Sequence, residues 1–228
     1  MKRLVLDIET IPLRAGESDE NEKKAALDAL SGRIVCIGGI LVDEFRALSA
    51  FTLLNDDESA LLLEFWDRLE REQVKCFIAH NGLSFDLPFI WRRSVVNQVR
   101  PRFQFDLRRY KTEPIYDTMC VWGNWEPRGN VSLDALAKGL GLGSKSGSGA
   151  EVSGLWNSGR FEELADYCLH DCWLTYGCYC KMNFRTPSHF SQIERGRLRD
   201  TGTRQGHTPA IGLEDHPESG GIGSPALL

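Results

Sequence analysis

A mixed α/β domain in which some strands run parallel is the fold class this sequence predicts, and three observations carry that expectation. Short aliphatic runs suited to buried strands alternate with segments whose apolar residues recur at helical spacing. Between residues 56 and 96 the order is helix, strand, polar turn, helix, which calls for crossover connections and parallel neighbours. With 228 residues and 42% hydrophobic content, the chain is long enough to bury a substantial core.

Residues 3–9 are rich in aliphatics and read as a buried strand. Residues 14–32 are strongly polar and suggest an insertion holding a short exposed helix. A second strand is expected over 34–42 and a third over 45–51, the three forming a meander. Asp56 or Asp57 can N-cap a helix through residues 60–69. Residues 76–80 form a short core strand, followed by a helix from about Phe85. Ser132 is placed to cap a helix over 133–140 that Gly141 and Gly143 stop. A loop rich in Gly and Ser then runs to Gly149, and 161–184 reads as one long helix. Gly, Pro and Ser dominate the last stretch, so the domain is expected to span 1–185, with 186–228 a disordered tail.

Composition narrows the functional classes. The first apolar run is only Leu4 to Leu6, too short for a secretory or membrane segment, so the expectation is a cytoplasmic protein with no membrane partner. Seven cysteines, an odd number, read as reduced thiols and not as a disulfide framework. A net charge of -5 argues against coating nucleic acid by bulk electrostatics. A local footprint for phosphates is still available in Arg92, Arg93, Arg100, Arg102, Arg108, Arg109 and Lys111, which face a single acid, Asp106, in that stretch.

Acids in apolar surroundings mark the candidate site. Asp7 and Glu9 leave the same face of the first strand, roughly 7 Å apart along it. Their neighbours Leu4, Val5, Leu6, Ile8 and Ile11 say that the strand is buried, where unpaired carboxylates are costly and a divalent cation relieves the cost. The similar Asp56-Asp57-Glu58 lies in a polar run and reads as a helix cap. Asp86 follows the strand at 76–80 and can face the first pair, although an ordinary N-cap for Leu87-Pro88-Phe89 is the plainer reading. Tyr167 and Asp171 are four apart on a helix, hence on one face, about 6 Å apart along its axis. Phosphodiester hydrolysis needs a deprotonated water and stabilisation of the leaving oxygen, which two hard cations can supply. Carboxylate donors with no His or Cys beside Asp7 or Glu9 suit Mg²⁺ or Mn²⁺.

Asp7-Ile8-Glu9-Thr10, Asn81 to Asp86, and Tyr167 to Asp171 resemble the three exonuclease motifs of the DEDD superfamily, tyrosine branch. The proofreading exonuclease domain of family B DNA polymerases, and predicted stand-alone exonucleases similar to it, look nearest. The resemblance implies a ribonuclease H-like fold, a mixed central sheet flanked by helices, and 3′-to-5′ hydrolysis of single-stranded nucleic acid, with DNA the expected substrate and RNA the alternative. It implies that Asp7, Glu9, Asp86 and Asp171 bind two divalent cations, that Tyr167 positions or helps to activate the attacking water, and that nucleoside 5′-monophosphates are released. The active site is expected at a sheet edge crossed by the helix of Asp171. Thr10, Asn81, Phe85, Ser132, Leu133 and Lys145 resemble substrate contacts, and Asp117 a supporting acid. Proofreading would call for a separate polymerase or repair partner. The histidine branch is a poorer match, because Asp166 stands where its histidine belongs.

Three rival readings remain open. Cys168, His170, Cys172, Cys178 and Cys180 could form a soft-metal module, but on one helix positions 168, 170 and 178 point in different directions, and the set lacks paired C-x-x-C spacing. A catalytically silent nucleic-acid-binding domain on the same fold is the second. A ribonuclease H-type endonuclease is the third, disfavoured by the Tyr167/Asp171 helix.

Overall fold

In the computed structural model, residues 2–14, 18–147 and 149–188 are described; all but the first three residues of the expected tail lie outside them. Five strands form one sheet in the order β3-β2-β1-β4-β5. β1 (Lys2–Pro12), β2 (Gly32–Asp43) and β3 (Arg46–Leu54) make the antiparallel meander. β4 (Cys76–Ala79) then adds parallel to β1, and β5 (Ile115–Asp117) parallel to β4. The mixed sheet, with helices on both faces, agrees with the α/β, ribonuclease H-like class. β5 is three residues long and leaves no periodic signal, which is why the sequence shows four strands and the structure five.

Period-two alternation in β1 sorts its side chains between two layers. Leu4, Leu6 and Ile8 join the core under α2 (Glu58–Arg71) and α3 (Asp86–Val96), with Phe65, Trp66, Phe77, Leu87 and Phe89. Each such buried side chain stabilises the fold by about 1.5–3 kcal/mol. Val5 and Ile11 face the opposite layer, where α7 (Phe161–Met182) lies against β1 and β2. Asp7 and Glu9 belong to this second face, so the two acids of β1 look at α7.

Local chemistry explains the ends. Asp57 caps α2, its carboxylate accepting from the amides of Ser59 and Ala60. Ser132 caps α5 (Leu133–Gly139), its hydroxyl accepting from Ala135 N at 3.2 Å. α1 (Asp19–Leu27) is the exposed helix of the polar insertion, capped by Ser18. α4 (Thr118–Trp122) and α6 (Val152–Asn157) are short and follow from no clear sequence pattern. α7 stops two residues before the expected end, because Phe184 takes a left-handed conformation at φ 58°.

Glu58 and Arg93, both buried, form an ion pair at 2.6 Å. Arg93 Nε also donates to Glu58 at 2.9 Å, and Glu58 accepts from Ile34 N at 2.7 Å and Asn97 Nδ2 at 2.8 Å. Arg93 is therefore no part of a phosphate footprint, which corrects the expectation from charge counting. Arg102 and Arg108 are likewise committed, to Asp67 and Asp106. Among the described residues, no helix is long and apolar enough to cross a membrane.

Candidate active site

Pairing of β1 with β4 stops at Val5 and Ile78, so the sheet opens beside the second half of β1. A buried amide there still needs an acceptor. Ile8 N finds it in Asp86 Oδ1 at 3.2 Å, which brings the first residue of α3 to the acids of β1. Asp86 is thus not the cap of its helix; Phe85 occupies that position without a side-chain bond. The opening lies at the carboxyl end of β4 and over the central strand, not at an edge of the sheet as expected.

The turn that delivers Asp86 is itself clamped. Asp117, fully buried at the end of β5, accepts from Asn81 N and Leu83 N at 3.0 Å each while also capping α4. Gly82 packs so closely on Ala79 that an added Cβ would lie 2.3 Å from the Ala79 Cβ. Asn81 adopts φ 67°, a conformation Asn tolerates better than most residues. Asp117 therefore has the supporting place the sequence suggests, holding the turn rather than the opening.

α7 brings the remaining groups. Tyr167 and Asp171 are both buried on its sheet-facing side. Gly38, paired with Asp7 across β1 and β2, lets the helix approach: a Cβ there would lie 2.9 Å from both Cys168 Sγ and Cys172 Sγ. The Cys168 thiol is 3.8 Å from Asp7 Oδ2, a contact that no local sequence pattern foretells. Among the described residues, ligand atoms of Asp7, Glu9 and Cys168 lie within 4.8 Å of one another.

Same-sign crowding dominates the electrostatics. Burial raises Asp7 well above the usual carboxylate range, and the charges of Asp86 and Asp171 raise it further. Glu9 is raised well above its ordinary value by burial, then by Asp7 and Asp171. Burial lifts Asp86 to about 7, against the opposing pull of backbone amides. Asp171 is raised by burial despite the nearby ammonium of Lys145. Lys145 Nζ lies 2.5 Å from Asp171 Oδ2 and 5.4 Å above the Tyr167 ring. Burial works against its charge, but Asp171 outweighs that and carries its pKa up. The Gly/Ser loop bearing Lys145 is tied at both sides, by Lys145 N to Asp134 Oδ1 at 2.9 Å and by His170 Nε2 to the Ser144 carbonyl at 3.0 Å.

One lysine against four acids leaves the cluster short of positive charge, and Asp171 Oδ1 is buried with no hydrogen-bond partner among the described residues. The structure corrects the expectation of no Cys beside Asp7, since Cys168 adds a thiol there, but four carboxylates, an orphaned buried oxygen and acids held reluctant to ionise fit the binding of hard divalent cations.

The other candidates divide. Thr10 lies just beyond a β-bulge after Glu9, and Phe85 is half-buried against Phe89 at 5.3 Å on the clamped turn. The Ser132 hydroxyl serves α5, and Leu133 is buried against Leu174 and Cys178 of α7. Cys168 and Cys172 lie side by side over Gly38, whereas Cys178 packs with Leu136 and Cys180 with Tyr176, and among the described residues the five soft ligands do not gather into one metal site.

A family described as predicted 3′-5′ exonucleases related to the exonuclease domain of PolB matches residues 27–195. The chain belongs to this family. The matched span contains Asp86, Tyr167 and Asp171, while Asp7 and Glu9 precede it. The catalytic chain of DNA polymerase epsilon from Dictyostelium discoideum is 28% identical over 151 residues, 62% of this chain and 6% of that polymerase. An uncharacterized protein of Methanocaldococcus jannaschii is 26% identical over 168 residues, 73% of this chain and 81% of that protein. The chain thus spans a small fraction of the polymerase and most of the archaeal protein.

Proposed function

We propose that this PolB-like exonuclease domain is a metal-dependent 3′-to-5′ exonuclease of the tyrosine branch, acting on single-stranded nucleic acid, DNA in preference to RNA, and releasing nucleoside 5′-monophosphates. What supports the reading is that Asp86 accepts from Ile8 N, between Asp7 and Glu9, that the charges of Asp86 and Asp171 both raise Asp7, and that Asp171 Oδ1 has no hydrogen-bond partner among the described residues.

In this reading Asp7, Glu9, Asp86 and Asp171 hold two divalent cations, Mg²⁺ or Mn²⁺. When bound, such ions lower the pKa of a water and stabilise charge on a leaving oxygen. The chain's own residues do the rest. Tyr167, whose phenol burial pushes up, keeps its proton at neutral pH, so it orients a water by hydrogen bonding and does not act as the base. Lys145, charged and adjacent to Asp171, can exchange that carboxylate for the phosphate of an arriving substrate. Thr10, Asn81 and Phe85 border the opening and supply contacts to the terminal nucleotide. A polymerase or repair protein as partner belongs to the same reading, and the similarity to the polymerase covers 6% of that protein's length.

The test is hydrolysis of 5′-labelled single-stranded and duplex DNA and RNA with Mg²⁺ or Mn²⁺, reading the ladder. Progressive shortening from the 3′ end is expected, abolished in Asp7→Ala and Asp171→Ala with the circular-dichroism spectrum unchanged. Tyr167→Phe is expected to lower the rate by about 100-fold while leaving affinity near wild type. Wild-type turnover in either aspartate variant, or cleavage of circular DNA at a comparable rate, defeats the assignment.

A further inference from the structure

An exposed tyrosine packed on a half-buried tryptophan lies on the segment around β5 and has no part in the chemistry above. Tyr110 is 75% exposed, with its ring centroid 5.5 Å from that of Trp125. Trp122, at the end of α4, is 49% exposed on the same segment. Both Tyr110 and Trp125 adopt left-handed backbone conformations at φ 64°, as does Asn124 at φ 50°. For bulky side chains such conformations cost about 1–3 kcal/mol each. Burial does not repay that cost at Tyr110, which stands in solvent.

The rings are held firmly from beneath. Trp125 packs on the main core, and its amide donates to Cys120 O at 2.8 Å. Gly123 and Gly129 approach so closely that a Cβ on Gly129 would lie 2.8 Å from the Gly123 Cα. Arg109 and Lys111 flank Tyr110 in the chain and Arg128 follows Trp125 closely; all three are exposed and, among the described residues, without an ion pair, whereas Arg108 is taken by Asp106. The segment is also joined to the opening. Asp117, which clamps the Asn81–Leu83 turn, is the N-cap of α4, and α4 leads directly to Trp122 and Trp125.

We infer that Tyr110 and Trp125, with Arg109 and Lys111, form a second binding site for single-stranded nucleic acid: a stacking platform for bases lying 5′ of the nucleotide at the acid cluster. Every base offers a face to an aromatic ring, so such a platform grips a strand without reading its sequence, while neighbouring cations take the phosphates. Charge complementarity favours this occupant, since among the described residues Arg109, Lys111 and Arg128 outnumber Glu126, the exposed acid next to Trp125, although the chain as a whole carries -5. The inference rests on the nuclease reading only in placing the 3′ end at the acid cluster.

Binding by the full chain is to be measured in EDTA, where hydrolysis is silent, with 5′-labelled oligothymidylate as a trinucleotide and as a long homopolymer. Tyr110→Ala is expected to weaken the long strand by about 5- to 100-fold, the worth of one stacked base, and to leave the trinucleotide unchanged. Tyr110→Phe keeps the ring and restores affinity. Arg109→Gln with Lys111→Gln is expected to flatten the salt dependence of long-strand binding by about 0.7 in log-log slope for each phosphate no longer neutralised. Unchanged long-strand affinity in Tyr110→Ala, or an equal loss on both lengths, overturns the platform. Wild-type protein that shows the length and Tyr110 dependence yet hydrolyses nothing on adding Mg²⁺ or Mn²⁺ sinks the nuclease reading and supports the platform.

Discussion

The buried carboxylate of Glu58 and the acids at the opening of the sheet are built on opposite principles. Glu58 is met by the Arg93 fork, by Asn97 and by the Ile34 amide, and Arg93 also donates to the Ala29 carbonyl at 2.9 Å. Every strong group there is satisfied from within the chain, as a buried pair requires if it is not to destabilise. At the opening of the sheet four acids share one lysine, three of them close enough for each to raise another's pKa, and one oxygen has no donor among the described residues. The first arrangement is complete when the chain has folded. The second is completed from outside, and the difference separates a structural buried charge from a site waiting for cations.

Removing Arg93 is the most severe way to break the complete arrangement. Arg93→Met leaves Glu58 buried without its partner and is expected to cost about 3–5 kcal/mol in urea unfolding. A loss under about 1 kcal/mol would show that the pair is not needed.

The incomplete arrangement is read through pH. Asp7, Glu9 and Asp86 have folded pKa values above their ordinary ones, so the folded metal-free protein holds more protons than the unfolded chain. Stability in EDTA is then greatest below about pH 4 as far as these groups are concerned, and falls as pH rises toward and through about 7. Added Mg²⁺ or Mn²⁺ is expected to reverse the fall, because cations bind the ionised acids of the folded state. Thermal melts at a series of pH values with and without metal check this; stability that climbs with pH in EDTA contradicts it.

Lys145→Met gives the smallest change. It removes the ammonium that lowers Asp7, Glu9 and Asp171, and is expected to deepen the metal-free fall by about 1 kcal/mol at neutral pH. The same substitution leaves the melt in acid, where the acids are protonated, close to wild type.

Much of this architecture is legible in the sequence because it is local. The cap at Asp57, the cap at Ser132, the alternation of β1 and the helical face joining Tyr167 to Asp171 all follow from neighbours within a few residues. What escapes is set by contacts distant in sequence. Glu58 and Arg93 are 35 positions apart, and nothing near either announces the other, so one reads as part of a cap and the other as a phosphate ligand. Asp86 looks like a helix cap because its true acceptor role, toward Ile8, lies 78 positions away. Lys145 draws little weight in its run of Gly and Ser, which conceals the two anchors that fix it beside Asp171.

Gly38 has no reactive atom, yet it sits opposite Asp7 beneath the two thiols of α7. A single methyl group at that position would act as a shim, 2.9 Å from both sulfurs and 3.2 Å from the Cys168 carbonyl oxygen, so the thiols must turn aside or α7, which bears Asp171, must lift from the strand. The gauge of the pocket is thus written in a hydrogen atom on the neighbouring strand, and a change with no chemistry of its own could silence the chemistry above it.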